Sequence, residues 1–418
     1  MAVLIRVVIM FAVVFGLSAC NDSGTADGGD GSAQARRDGK AVVSDALAVR
    51  SQVPYGLVYS ARVGDAVKAG DSALISMIKG LEAKTKAGQG NFEDNLDMGT
   101  LQALLGNYEQ ATGFLSRSAK LKPEDAATAN NTGFCYLHLG QLPDAQTELE
   151  RAAGLDAGFP EVHYNLGYYY NKMEMLSEAA AAYEKAVELD PGVPEAQYSL
   201  SLAYYYFGRN AEAIEAAQAA VDLDPDHAGA HASLGMCQAL AGEVQLAVKH
   251  CSRAVELDPK NASHHFNLGQ AHLGNRDPVA AKAAFEEAVR LDRSHAEAYH
   301  GLGNVAASEG DDEAALEHYE KAVELNPQMG YAYYNIGGLH AQAGRYDEAV
   351  TALKEALRID PMYPAPYLGL SRAYYQLGEY QLALQHAEEY IKLTPNDTYR
   401  DHAEVWEAIA HLKAKLGE

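Results

Sequence analysis

The sequence predicts an all-α fold: an α-solenoid of about nine helix-turn-helix repeats, closed by a C-terminal capping helix. Three observations predict it. Nine consecutive blocks of 34 residues run without an insertion (92–125, 126–159, 160–193, 194–227, 228–261, 262–295, 296–329, 330–363 and 364–397), and self-similarity at such a period marks a repeat architecture. Ala stands at the twentieth place of every block, from Ala111 to Ala383, while the eighth place is Gly in seven blocks and Ser201 or Ser371 in the other two. Gly106, Gly140, Gly208, Gly242, Gly310, Gly344 and Gly378 recur at the fifteenth place, and Pro123, Pro191, Pro225, Pro259, Pro327, Pro361 and Pro395 recur near the block ends.

The chain opens with Arg6, an apolar run from Val7 to Phe15, and Leu17-Ser18-Ala19-Cys20. A run this short falls below the roughly 20 apolar residues that span a bilayer, and it has the layout of a secretory signal over residues 1–19. Leu17-Ser18-Ala19-Cys20 resembles the lipobox of bacterial lipoproteins, which implies cleavage before Cys20 and lipidation of that cysteine. An ordinary signal peptide carrying a chance cysteine is the alternative. Two or more acyl chains are enough for stable anchoring. Residues 20–39 are rich in Gly, Ser, Ala and Asp without apolar periodicity, so they read as a tether with a root-mean-square reach of ~25 Å. Asn21, not Asp, follows the cysteine, which by the resemblance leans toward the outer membrane, facing the periplasm. Residues 40–91 are expected to form a helical N-terminal cap or degenerate repeat, with helices around Ala41–Val49 and Ala73–Ala83.

Within each block the spacing predicts two antiparallel helices. Small residues at the eighth and twentieth places let their axes approach closely. Gly at the fifteenth place ends the first helix in a left-handed conformation that needs no Cβ, and Pro stops the second. Asp277-Pro278 has the form of a cap followed by Pro at the first helical position. The block from Pro160 to Val193 places Leu166-Gly167, Tyr170, Ala179, Tyr183, Ala186 and Pro191 in the order of the tetratricopeptide pattern, and the chain resembles that family, which implies a right-handed superhelix. Departures are Ala157 and Arg293 at the terminal Pro, Ala217 and Ala387 at the aromatic twenty-fourth place, and Tyr390 near the end of the last block. Residues 398–418 carry Val405, Trp406, Ile409 and Leu412 at helical spacing and are expected to cover the last repeat.

Composition prunes the function classes. Lys and Arg number 33 against 57 Asp and Glu, a formal charge of −24. That leaves no basic footprint for nucleic acid and argues against lying on anionic headgroups. The charge sits mostly in second helices, as in Glu184 to Asp190, where solvated faces with local ion pairs suffice. Cys135, Cys237 and Cys251 read as buried small hydrophobes. The fifteen histidines include His163, His231 and His265 at the fourth place, without the converging partners that zinc requires. Asp222 to Asp226 lacks the Gly and the acidic twelfth residue of a calcium loop. No phosphate loop or nucleophile elbow follows a strand. Neither an enzyme, nor a metal, nor a cofactor is expected.

What remains is surface. In the resembled family the first helix of each block lines a concave groove through its second, fifth, sixth, ninth, twelfth and thirteenth places. Here these hold Tyr164, Tyr168, Tyr198, Tyr205, Tyr206, Phe266, Tyr331, Tyr334 and Tyr375, with Asn131, Asn165, Asn267 and Asn335 at the sixth. Tyr offers large area at little rotamer cost. Asn carries a donor and an acceptor, and can hold a peptide backbone whatever its side chains. The expectation is a membrane-anchored scaffold or adaptor gripping an extended peptide or protein, densest at Tyr164 to Tyr206. A subunit of a pilus-assembly or polysaccharide-export complex, or a carbohydrate-binding module, are the alternatives.

Overall fold

The computed structural model describes residues 55–86, 89–394 and 401–417. The expected signal segment, Cys20, the tether and the helix around Ala41–Val49 lie outside the described residues. Among those described, every regular element is helical. They form two compact units, one ending at Cys237 and the other beginning at Gln238.

In the first unit a helical pair, α1 (Ala61–Ala69) and α2 (Asp71–Lys86), precedes four hairpins. These are α3 (Phe92–Leu104) with α4 (Tyr108–Leu121), α5 (Ala126–His138) with α6 (Leu142–Leu155), α7 (Pro160–Lys172) with α8 (Leu176–Leu189), and α9 (Pro194–Phe207) with α10 (Asn210–Leu223). The boundary between units falls within α11 (Ala228–Leu240). Each second helix packs on the next first helix, and the first helices α3, α5 and α7 also touch in succession. The second unit begins with α12 (Val244–Leu257). It continues with α13 (Ala262–Gly274) and α14 (Pro278–Leu291), α15 (Ala296–Glu309) and α16 (Asp312–Leu325), α17 (Gly330–Gln342) and α18 (Tyr346–Ile359), α19 (Pro364–Gln376) and α20 (Tyr380–Leu393), then α21 (Asp401–Leu416). The same neighbour-to-neighbour packing recurs there, as expected of repeats that bury their faces only against one another.

The eighth-place glycines are holes for the twenty-fourth residue. A Cβ built on Gly269 would stand 2.5 Å from the Phe285 ring, on Gly303 2.5 Å from Tyr319, on Gly167 2.7 Å from Tyr183, and on Gly133 2.7 Å from Leu149. Close packing leaves no slack for such an atom. The two departures then explain each other: Ser201 and Ser371 occur in the blocks whose twenty-fourth residue is Ala217 or Ala387. A smaller knob leaves room for a larger hole-lining residue.

Turns follow the expected chemistry. Gly208 takes φ +81° and closes α9 by donating its N–H to Tyr205 O (3.1 Å), while Arg209 N–H reaches Tyr204 O (2.8 Å). The two blocks without Gly at this place keep the conformation with Glu174 (φ +59°) and Arg276 (φ +60°), at a cost of roughly 1 kcal/mol each. Asp277 caps α14 by accepting from Ala280 N–H at 3.0 Å. At the far end, Val405, Ile409 and Leu412 of α21 are buried against Leu370, Tyr374, Leu384 and Tyr390. Trp406 lies about 100° round the helix from Val405 and is 54% exposed, so it does not join that apolar face.

Candidate functional site: an asparagine-lined cradle

Asn131 and Asn165 occupy the sixth place on α5 and α7, and neither faces open solvent: their relative exposures are 0% and 1%. Residues 55–59, which precede α1 and form no helix, lie across them. Val58 N–H donates to Asn131 Oδ1 at 2.8 Å, and Asn131 Nδ2 donates back to Val58 O at 2.9 Å. Asn131 Nδ2 also donates to Thr100 Oγ1 at 3.0 Å, and that hydroxyl donates to Leu96 O at 2.9 Å. The amide orientation is thereby fixed. Asn165 Nδ2 and Asn130 Nδ2 each donate to Gly56 O at 2.8 Å. The three amides are tied together, Asn165 Nδ2 donating to Asn130 Oδ1 (2.9 Å) and Asn130 Nδ2 to Asn131 Oδ1 (3.1 Å). A buried network of amides tied together in this way is rigid.

Side chains of the segment fill the remaining space. Tyr55 meets Tyr164 edge to face with ring centroids 4.8 Å apart. Leu57 is buried in a cluster with Leu96, Leu115, Phe134 and Cys135, worth about 2 kcal/mol by area removed from water. Gly56 has φ +116°, and a Cβ there would stand 2.4 Å from Asn165 Oδ1. Burial pushes the Tyr164 phenol well above its usual range, with the Glu195 carboxylate adding to it. Beyond the segment, Ser60 caps α1 by accepting from Val63 N–H (3.2 Å) and donates to Asp97. Arg62 pairs with Asp94 (3.2 Å) and Asp97, and Lys84 with Asp94 (3.3 Å), fastening α1 and α2 to α3. Burial of Asp94 opposes its ionisation, but the hydrogen bonds from Arg62, Lys84 and the Asn91 cap together hold its carboxyl below the usual range.

The structure therefore brings Asn131, Asn165 and Tyr164 to one place. Tyr198, Tyr205 and Tyr206 lie on α9, half-buried; Tyr198 packs on His227 (5.1 Å) and Tyr205 on Tyr206 (5.3 Å). Tyr168 stacks on His138 at 6.1 Å. In the second unit, Phe266 packs on Phe285 and His295, and Asn267 is half-buried beside it on α13. Tyr334 packs on Tyr363 (5.5 Å), and Tyr375 bonds His411 of α21 (3.2 Å) beneath Lys415. Tyr331 stands edge-on to His300 at 4.6 Å, and Asn335 Nδ2 reaches His300 Nε2 at 3.0 Å. Burial pushes the His300 imidazole down to about 3, against the opposing pull of Glu297.

The fourth-place histidines have a structural use. His163, His231 and His265 each bring Nε2 to the carbonyl six residues back, Ala157 O (2.9 Å), Pro225 O (3.0 Å) and Pro259 O (3.0 Å). Tyr367 does the same toward Pro361 O at 3.1 Å. Each links a first helix to the end of the preceding repeat. Cys135, Cys237 and Cys251 are free and buried, and burial pushes each thiol up to about 12. Among the described residues, no three or more His, Cys, Asp or Glu side chains could hold a metal, and no helix is long and apolar enough to cross a membrane.

Sequence reasoning missed Asn130, Thr100, His300 and the whole segment 55–59. A signal did exist. Tyr55-Gly56-Leu57-Val58-Tyr59 has no helical periodicity and abuts a Ser cap, which marks a non-helical apolar stretch needing a partner.

Three family profiles described as tetratricopeptide repeat match the chain: one at residues 198–262, 266–330 and 313–364, a second at 340–416, a third at 160–193. No curated protein matches it. Among solved structures it is similar to YrrB, described as a TPR protein with an unusual peptide-binding site (24% identity, 44% of this chain and 96% of that one, TM-score 0.39). It is also similar to the APC/C hetero-tetramer Cut9-Hcn1 (13%, 84% and 95%, 0.48) and to pilF of Pseudomonas aeruginosa (20%, 53% and 97%, 0.45).

Proposed function

The chain belongs to the tetratricopeptide-repeat family, and from that premise we propose that it is a membrane-anchored scaffold or adaptor that holds an extended segment of a protein partner along the faces of its first helices. Proteins of this family typically bind proteins or peptides and are generally non-catalytic scaffolds. One observation carries the proposal: Asn131 takes both the N–H and the C=O of Val58. An amide presented this way reads main chain and is indifferent to side chain, and the neighbouring Tyr164 supplies apolar area for whatever side chain sits there. The anchor in this proposal is lipidated Cys20, with residues 20–39 as tether and the repeats facing the periplasm from the outer membrane.

Two measurements test it. On side-by-side arrays of peptides and glycans, the full chain is expected to retain peptides, with retention weakened at least tenfold by Tyr164→Ala together with Tyr198→Ala; stronger glycan than peptide binding overturns the scaffold assignment. Cys20→Ala is expected to abolish acylation and release the protein from membranes, and normal membrane retention of the variant removes the anchor.

A further inference from the structure

The cradle of the first unit is already filled, and its filling specifies what else it accepts. Gly56 O receives two amide donors, Val58 is held at both its N–H and its C=O, and no side chain fits on Gly56 because Asn165 Oδ1 would stand 2.4 Å from its Cβ. An aromatic ring is read before the glycine, against Tyr164, and an aliphatic side chain after it, among Leu96, Leu115 and Phe134. We propose that residues 55–59 are an internal ligand occupying a peptide site specific for aromatic-Gly-aliphatic segments, and that a partner segment of this chemistry binds by displacing them.

The proposal rests on the peptide-groove assignment above and adds to it both a specificity and an autoinhibitory contact. Its occupant is argued from the segment itself. Four hydrogen bonds from three asparagines reach only two residues of main chain, and the glycine requirement is steric. The internal ligand is also imperfect: the hydroxyls of Tyr55 and Tyr59 are buried without a hydrogen-bond partner, and a buried hydroxyl left unpaired weakens its hold. Its advantage is attachment to α1 through Ser60, which gives it an effective concentration on the order of millimolar. A separate peptide with micromolar intrinsic affinity therefore meets a large competitive handicap until the internal segment is weakened.

The test uses the full chain and, as probe, an acetylated and amidated peptide with the sequence of residues 55–60. Gly56→Val weakens the internal ligand twice, through the Asn165 clash and through a backbone conformation that L side chains rarely adopt. The probe is expected to bind this variant at least tenfold tighter than wild type, and Asn131→Ala in the same background is expected to abolish the gain. Hydrogen exchange on the wild-type chain gives a readout that needs no variant: saturating probe must strip protection from the Val58 amide. Equal affinity for wild type and Gly56→Val, or Val58 protection unchanged at saturation, overturns the internal-ligand proposal while leaving the groove able to bind peptide. No binding to Gly56→Val while its residues 55–60 exchange freely means an empty cradle that refuses peptide, and that result overturns the groove assignment as well.

Discussion

Phe285→Ala is expected to be among the most damaging single changes in the second unit, at about 3–5 kcal/mol for a buried aromatic cut to a methyl. Its ring is fully buried and wedged between two glycines on different first helices. Cβ atoms built on Gly269 and Gly301 would lie 2.5 Å and 2.7 Å from it. One truncation therefore empties the contact within a repeat and the contact to the next. Hydrogen exchange over residues 262–309 is the suitable measurement, because repeat arrays need not unfold as one unit. A rescue follows from the pairing of Ser201 with Ala217 and Ser371 with Ala387 in other blocks. Adding Gly269→Ser should recover at least about 1 kcal/mol of the loss, the coupling expected of neighbours sharing one cavity. Its hydroxyl can bond Phe266 O as Ser201 Oγ bonds Tyr198 O at 2.7 Å. Additive or worse behaviour of the double variant would sink the knob-and-hole account.

Acid should weaken the second unit through His300. The ring is 4% exposed, with Tyr319, Tyr331, Asn304 and Asn335 around it and Glu297 the one carboxylate acting on it. Burial holds it down to about 3, whereas an unfolded histidine titrates near 6.5. Below pH 6.5 the unfolded chain therefore takes up a proton that the folded ring refuses, and stability falls as the pH drops through that interval toward 3. At pH 5 the loss is about 2 kcal/mol relative to pH 7.5. His300→Gln removes the titrating group, so its protection across α15 and α17 should vary less between these two pH values than that of wild type. An identical acid loss in both proteins would place the effect elsewhere.

Much of the fold was legible because a 34-residue period forces each residue to meet the same neighbours nine times. Gly at the fifteenth place announced left-handed turns, and the structure has them at all seven glycines. Glu174 and Arg276 adopt the same conformation without the residue that signals it, since the packing of the two helices over-determines the turn. The cradle was only half legible. Asn131 and Asn165 stood out by position, yet whether their amides face solvent depends on residues more than 70 positions earlier in the chain.

Sequence alone determined the helical hairpins, their length and the small residues that let them close, because those follow from contacts at short and repeating separations. Tertiary structure alone decided that residues 55–59 fill the asparagine cradle and that His300 is sealed among aromatic rings. Both depend on which distant side chains converge, and local periodicity carries no record of that.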